Sequence, residues 1–491
     1  MNMSNLSVVS FFEGANVFLT GCTGLVGKQL VEKMLFSCNV NKIFVLMRPK
    51  KNKSIRERHT EFTASPFFKF RLDPSLFSRV HVIAGDIMNP RLGIRDEDWT
   101  MLQQEVNIII HSAATINFNE PLDIAMTMNV LGPQYMLDLA EGTKNLKSFV
   151  YVSTAFTNCH TEILDEVVHV PHVDPYHVWR LHSKLDPNEF NTVCSSMIAP
   201  HPNTYTFTKS LSEHLVQERA EKSGLPLVIA KPGVITPPAV EPVPGFCDNL
   251  TQAFPAIFTK SLVAVNRVFK GRMYTGFPAI PVDHVANGIL VMATAGGTTS
   301  GQGRRIFGIF NTSPNQLTFP VIAQTGYECS LKYPLKQTAR PVTKLLVTKY
   351  DIVYKLVVIW EYVCACFLDM ISWSQGQKGI MRKKHRSQLN FNETVHYFTM
   401  SNYTFSAVNL REAFDLIADN EKQILACNPA EVDWEAYLRH CHMGMREYGF
   451  KENRETIAVA RVRMQKLEWI YTFCRLTVFL AACWTIFLFS E

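Results

Sequence analysis

The sequence predicts an α/β protein: a doubly wound parallel sheet with helices on both faces, then a mainly helical C-terminal domain and an apolar tail helix. Three observations predict it. Strand-like and helix-like segments alternate through the first half of the chain, and such alternation builds a parallel sheet covered by helices. A glycine-rich turn joins the first strand to the first helix. From about Thr343 the alternation gives way to long apolar runs.

The elements follow in order. Asn16 to Leu19 is a short apolar strand, and Leu25 to Phe36 has helical spacing. Lys42 to Met47 is a second strand, rich in β-branched and aliphatic residues. Val80 to Ala84 is a third and Val106 to His111 a fourth. Pro121 to Ala140 reads as a helix and Ser148 to Ser153 as the fifth strand. Thr204 to Ser223 is a helix closed by Gly224 and Pro226, and Leu227 to Ala230 is the sixth strand. Pro232, Pro237, Pro238, Pro242 and Pro244 then mark a loop-rich stretch, from which doubly wound enzymes build their substrate side. Tyr274 to Val282 and Arg305 to Phe310 add further strands.

Lys344 to Trp373 is strongly apolar, with charges only at Lys344, Lys349, Asp351, Lys355, Glu361 and Asp369. It predicts a helical hairpin in a second domain, with lipid contact left open. Arg382-Lys383-Lys384-His385-Arg386 is read as a solvated loop, with a contact to anionic lipid or coenzyme phosphate as the alternative. The tail from Leu467 to Phe489 is apolar apart from Glu468 and Arg475, and a spanning helix needs about 20 apolar residues. Arg461, Arg463 and Lys466 precede it, so the charge bias keeps the body of the chain cytosolic. An amphipathic helix docked on the protein is the alternative. No secretory signal pattern opens the chain. The expected domains are 12–340 for nucleotide and substrate, 341–455 for the helical part and 467–489 for the membrane-associated tail.

Composition narrows the function. At 491 residues the chain suits two or three domains. A net charge of +6 is small for this length, so nucleic acid is not an expected partner. The 12 cysteines are scattered, with neither zinc-ligand spacing nor a disulfide framework, and fit a reducing compartment. His440, Cys441 and His442 are sequence neighbours that point to different helix faces, so no metal site is expected. A homodimer stays open.

The chemistry lies in a few motifs. The strand Val17-Phe18-Leu19 runs into Thr20-Gly21-Cys22-Thr23-Gly24-Leu25-Val26-Gly27. Gly21 serves the tight turn, Gly24 lets the backbone approach a pyrophosphate, and Gly27 lets the helix pack on the strand. The free N–H groups at the helix start then face phosphate, which is the Rossmann arrangement. The second strand ends Arg48-Pro49-Lys50-Lys51, where an NAD enzyme would place a carboxylate for the ribose. Arg48 with Lys50 or Lys51 suits a 2′-phosphate, so NADPH is the expected cofactor. Asp86, after the third strand, is placed to touch adenine. Ala113, in His111-Ser112-Ala113-Ala114, leaves room beside the cofactor. Tyr205 and Lys209 lie four apart on a helix and face the same way. The ammonium favours the phenolate, and in reduction the phenol gives its proton to the carbonyl oxygen. A hydroxyl of Thr154 or Ser153 would hold the substrate oxygen.

Taken together these motifs resemble the fatty acyl-CoA reductase family, within the extended short-chain dehydrogenases, over nearly the whole chain. Phe12-Glu13-Gly14-Ala15-Asn16 leading into the glycine loop is similar to the family's start, and Val45-Leu46-Met47-Arg48-Pro49-Lys50 to its cofactor-selecting strand. Asn129-Val130-Leu131-Gly132, Val152-Ser153-Thr154-Ala155-Phe156, Tyr205-Thr206-Phe207-Thr208-Lys209 and Ile280-Pro281-Val282-Asp283 follow in the family's order. Phe398 to Phe405, Val432-Asp433-Trp434-Glu435-Ala436-Tyr437 and Gly444-Met445-Arg446-Glu447-Tyr448 resemble its C-terminal domain. The resemblance implies two successive NADPH hydride transfers that convert a long-chain acyl-CoA to an aldehyde and then to a primary alcohol. It also implies catalytic roles for Tyr205, Lys209 and Thr154, and an endoplasmic reticulum or peroxisomal membrane. The chain departs from the family at Lys231-Pro232-Gly233, where Arg-Pro-Ser is usual, and in the coenzyme-facing segment from Gly245 to Lys260. The alternatives are another extended short-chain enzyme of hydroxysteroid type, and a non-catalytic relative that binds acyl-CoA or NADPH at a membrane.

Overall fold

The computed structural model describes residues 6–50, 52–250, 253–262, 267–298, 306–338, 340–374 and 376–489. Two compact units are each assembled from three segments. The first holds 1–243, 278–316 and 403–431, and the second 244–277, 317–402 and 432–491.

The first unit is built on seven parallel strands: β1 (Asn16–Thr20), β2 (Lys42–Met47), β3 (Val80–Ala84), β4 (Ile108–His111), β5 (Ser148–Val152), β6 (Leu227–Pro232) and β7 (Ile306–Ile309). They lie in the order 7-6-5-4-1-2-3. β1 and β4 are neighbours in register, with Thr20 beside His111. The chain winds outwards in both directions from that pair, so a crevice opens at their carboxyl ends, where such sheets bind ligands. The strands are apolar on both faces because helices cover both. Phe18, Phe44, Ile83, Ile109, Phe149 and Ile229 join one buried cluster with Trp99, Leu102 and Met136.

Local chemistry sets the helices. α1 (Leu25–Ser37) starts straight from the glycine loop. α2 (Thr204–Ser223) is capped by Asn203, whose side chain accepts from the Thr206 N–H, and stops at Gly224 with φ +65°. The helix predicted over Pro121 to Ala140 forms as Leu122–Met126 and Gly132–Glu141, joined through a π turn at Thr127–Leu131. In α3 (Val282–Thr298) the buried Asp283 carboxylate accepts from the Ala239, Val240 and Glu241 N–H groups. That bond set holds the proline-rich stretch onto the sheet domain. The Tyr274 to Val282 segment yields two short strands, Gly276–Phe277 and Ala279–Pro281. The predicted strand from Arg305 forms over Ile306–Ile309, and Arg305 itself lies outside the described residues.

The second unit is mainly helical, and two expectations change there. Lys344 to Trp373 is not a hairpin. Leu346–Thr348 is a strand paired with Val268–Lys270, and α4 (Asp351–Ser374) is one unbroken helix. No turn residue interrupts that segment, and the break falls later, at Gly376 with φ +71°. The hairpin partner is α5 (Met381–Met400), so the basic cluster occupies the first turns of a helix and not a loop. The C-terminal α6 (Thr456–Phe489) contains the predicted tail as its continuation. Among the described residues one helix, α4, is long and apolar enough to cross a membrane, with hydropathy 1.7.

Candidate active site

Gly21 and Gly27 shape the glycine loop in different ways. Gly21 has φ +78°, and a Cβ there would lie 2.9 Å from the Ala113 nitrogen. The loop can therefore lie against the segment that leaves β4. A Cβ on Gly27 would sit 2.3 Å from the Gly21 carbonyl oxygen, so only glycine lets the helix start this close to the turn. Thr23 and Gly24 are exposed at the start of α1, while Leu25 and Val26 are half-buried. The N-terminus of a 13-residue helix thus opens to solvent at the crevice.

Thr20 ties the loop to β4. Its hydroxyl accepts from the Ala113 N–H at 3.2 Å and is bonded to His111 Nδ1 at 2.8 Å. Burial holds the His111 imidazolium down to about 3, so the ring is neutral, stacked on Tyr151. Asn129, turned inwards by the π turn, fixes the next stretch. Its Oδ1 accepts from the Thr115 N–H, and its amide donates to the Thr115 carbonyl and to Thr208 Oγ1.

At the end of β2, Arg48 pairs with Asp86 at 3.1 Å and stays half-exposed. Asp86 also accepts from the Met88 N–H. Lys50 is exposed, and Lys51 lies outside the described residues. The sequence did not single out Arg58, which the helix Ile55–Thr63 carries to this rim. It donates to the Arg48 carbonyl and is close enough to Cys22 to act on that thiol. The readable signal was the capping box Ser54…Glu57, which fixes where the helix starts and therefore which way Arg58 faces.

Tyr205 and Lys209 stand one turn apart on α2, with Thr154 across from them at the end of β5. Thr154 is hydrogen-bonded to the Tyr205 hydroxyl, which lowers that phenol, but burial outweighs it and pushes the phenol up to about 12. The Lys209 ammonium does not bond the protonated phenol. Lys209 Nζ donates instead to the Val152 carbonyl at 2.8 Å and to Tyr151 Oη at 3.2 Å. Burial pushes Lys209 down to about 7, against the opposing pull of Glu213.

Glu213 is the group that sequence reading missed. It lies one further turn along α2, so Tyr205, Lys209 and Glu213 share a face. Its buried carboxylate accepts from Ser153 Oγ at 2.5 Å and from Thr157 Oγ1 at 3.4 Å. Lys231 completes the set, with Nζ 2.9 Å from Glu213 and 2.8 Å from the Val167 carbonyl. The departure at Lys231 therefore lands on a buried ion pair. The two hydroxyls that follow β5 are also distinguished: Ser153 is engaged by Glu213, and Thr154 faces Tyr205.

The segment from Gly245 lies in the second unit. There a Cβ on Gly245 would come within 2.2 Å of the His440 carbonyl, so this stretch packs directly on the helix Trp434–Gly444. His442, in that helix, is bonded through Nε2 to the Tyr333 carbonyl.

Comparison with known proteins agrees with this architecture. An NAD-binding family model described as male sterility protein matches residues 19–289, and a second model of the same description matches 360–452. The chain is 30% identical to "Fatty acyl-CoA reductase wat" of Drosophila melanogaster, covering 97% of this chain and 92% of that one. It is 28% identical to "Fatty acyl-CoA reductase 1" of Homo sapiens, covering 98% and 94%. Among solved structures, the terminal reductase domain of the myxalamid biosynthetic pathway superposes with TM-score 0.58 at 18% identity, covering 89% and 92%. The reductase domain of a non-ribosomal peptide synthetase from Mycobacterium tuberculosis does so with TM-score 0.55 at 20% identity, covering 91% and 94%. Those two likenesses are of fold. The NAD-binding model makes the cofactor a nicotinamide nucleotide.

Proposed function

The chain belongs to the fatty acyl-CoA reductase family, and from that premise we propose that it reduces long-chain fatty acyl-CoA through an aldehyde to a primary alcohol, with NADPH as donor in both steps. The observation that carries the reading is the grouping of Tyr205, Thr154 and Lys209 on the same side of the sheet crevice as the glycine loop. The bound cofactor supplies hydride. Thr20, Gly21, Thr23, Gly24, Leu25, Val26, Gly27, Arg48, Asp86 and Ala113 would hold it, together with Tyr205 and Lys209, and the loop fits that task because Gly21 and Gly27 leave space that any side chain would fill. Lys51 would join them at the 2′-phosphate.

Thr154 and Tyr205 hold the carbonyl oxygen between two hydroxyls, and Tyr205 donates its proton to that oxygen. Ser153 acts one step back, as the donor that orients Glu213. We further assign residues 12–340 to nucleotide and substrate binding and 341–455 to the family's C-terminal domain. The tail 467–489 would hold the enzyme on the cytosolic face of the endoplasmic reticulum or peroxisome. Expression in a host without fatty alcohols, with gas chromatography of its lipids, tests the reaction. A series of primary alcohols supports it, whereas NADPH consumption with a steroid and none with palmitoyl-CoA would replace it.

Two variants test the cofactor site. Gly27→Ala should weaken nicotinamide cofactor binding by about 10–100-fold, the equivalent of ~1–3 kcal/mol of overpacking, read by fluorescence titration of NADPH. Arg48→Ala combined with Arg58→Ala should raise the KM for NADPH by about 10²–10⁴-fold and leave that for NADH nearly unchanged, since each of the two charge-assisted bonds contributes ~1.5–3 kcal/mol. Equal effects on both cofactors would remove the 2′-phosphate role.

A further inference from the structure

Helix α4 is polar inside and apolar outside, the reverse of a surface helix in water. Its buried side carries Glu361 and Asp369. Glu361 pairs with Arg340 and lies 3.9 Å from Arg267. Asp369 accepts from the Met381 and Arg382 N–H groups and from Arg382 Nε at 3.0 Å. Its opposite side carries Leu356, Ile359, Val363, Phe367, Met370 and Trp373, which are 45–64% exposed. These residues recur every three or four positions, so they form one stripe, and from Leu356 to Trp373 it runs about 27 Å along the axis. No charged side chain interrupts it: Glu361 and Asp369 are the only charged residues in that span, and both are buried.

The surroundings of the stripe specify what covers it. At its C-terminal end Arg382 stacks on Trp373 at 5.0 Å. Lys378, Lys383, Lys384 and Arg386 are exposed beside it, and no Asp or Glu occurs between Asp369 and Glu393. Lys349 and Lys355 flank the other end. An apolar stripe with aromatic and basic residues at its borders matches the depth profile of a lipid interface, with acyl chains at the centre and anionic headgroups at the rim. The buried side of α4 packs along α5 and the Val268–Lys270 strand, so only the outer side is available to lipid. A helix covered in this way along its length lies in the interface plane and does not cross it.

We propose that the outer face of α4 is a monotopic membrane-docking surface that takes an anionic phospholipid interface, with the 378–386 cations on the headgroups. This surface is additional to the tail helix and does not depend on the reaction proposed above. The test uses the full chain on vesicles of phosphatidylcholine with a minority of phosphatidylserine. A photoreactive phenylalanine analogue is placed either at Phe367, in the stripe, or at Tyr176, an exposed residue of the sheet unit among Asp174, Arg180 and Glu218. Mass spectrometry of the irradiated protein should show lipid adducts from 367 and none from 176, with the yield at 367 falling when phosphatidylserine is omitted. An adduct from 367 to a second copy of the chain would make the stripe a dimer face and overturn the proposal. So would equal lipid yields from both positions, or no adduct from 367. Because the readout is an adduct and not activity, its failure leaves the reductase assignment untouched, and a chain that makes no alcohol can still label lipid.

Discussion

Tyr205→Phe is expected to lower the rate of alcohol formation by about 10²–10⁴-fold, the range for losing a positioned general acid, while NADPH affinity stays within a few-fold. The phenol is suited to donate because burial pushes it up to about 12, so it keeps its proton at neutral pH. Giving the proton up leaves a phenolate, which needs a cation. Lys209 stands one turn away on the same helix face, and burial pushes it down to about 7. Its sign sets the pH profile. As pH rises through that depressed value Lys209 loses its charge, so kcat/KM should fall above about pH 7 in the wild type. Glu213 opposes the depression, so Glu213→Gln should move this limb to lower pH. A limb that stays fixed in Glu213→Gln would detach Glu213 from the site. A Tyr205→Phe enzyme with normal alcohol output would remove the catalytic assignment altogether.

Lys231→Met is expected to destabilise the sheet unit by about 3–5 kcal/mol, because it leaves the Glu213 carboxylate buried without its cation. Both side chains of the pair are only 2% exposed, so water cannot compensate. For a unit of this size that corresponds to a fall in its unfolding midpoint of roughly 5–8 °C, read by calorimetry. Adding Glu213→Gln should recover most of the loss, since it removes the orphaned charge. The double variant should still show the displaced pH limb, because Lys209 has lost the same carboxylate. Recovery of stability without recovery of the limb separates the two roles of this pair.

The sequence carried much of this site because its signals are local. A glycine turn between a strand and a helix is written in consecutive residues, and the contacts of Gly21 with Ala113 and of Gly27 with the Gly21 carbonyl show why no side chain fits there. Tyr205 and Lys209 were legible from their spacing on one helix. Glu213 obeys the same spacing and was overlooked because a glutamate on a helix is ordinarily solvated. Only the long-range approach of Ser153 and Lys231 shows that it is buried.

Other features escaped because they depend on where distant segments meet. Arg58 reads as one of several charges in a polar helix until the fold sets it beside Arg48. The basic run at 382–386 carries no mark of helix or loop by charge alone, and the capture of Arg382 by buried Asp369 decides it. Lys344 to Trp373 was recognised as apolar, but apolarity does not say which side faces inwards.

By itself, then, the sequence determined the order of the sheet-forming segments, the glycine turn after β1, the place of Arg48 at the end of β2 and the spacing of Tyr205 and Lys209 on one helix. All of these are encoded by periodicity or by spacing within one element. The tertiary structure alone decided which hydroxyl after β5 meets Tyr205, why Lys231 is tolerated, and which side of α4 is left bare. The physical reason is the same in each case: the cost or gain of a charge depends on its burial and its partner, and both are set by chain segments far apart in sequence.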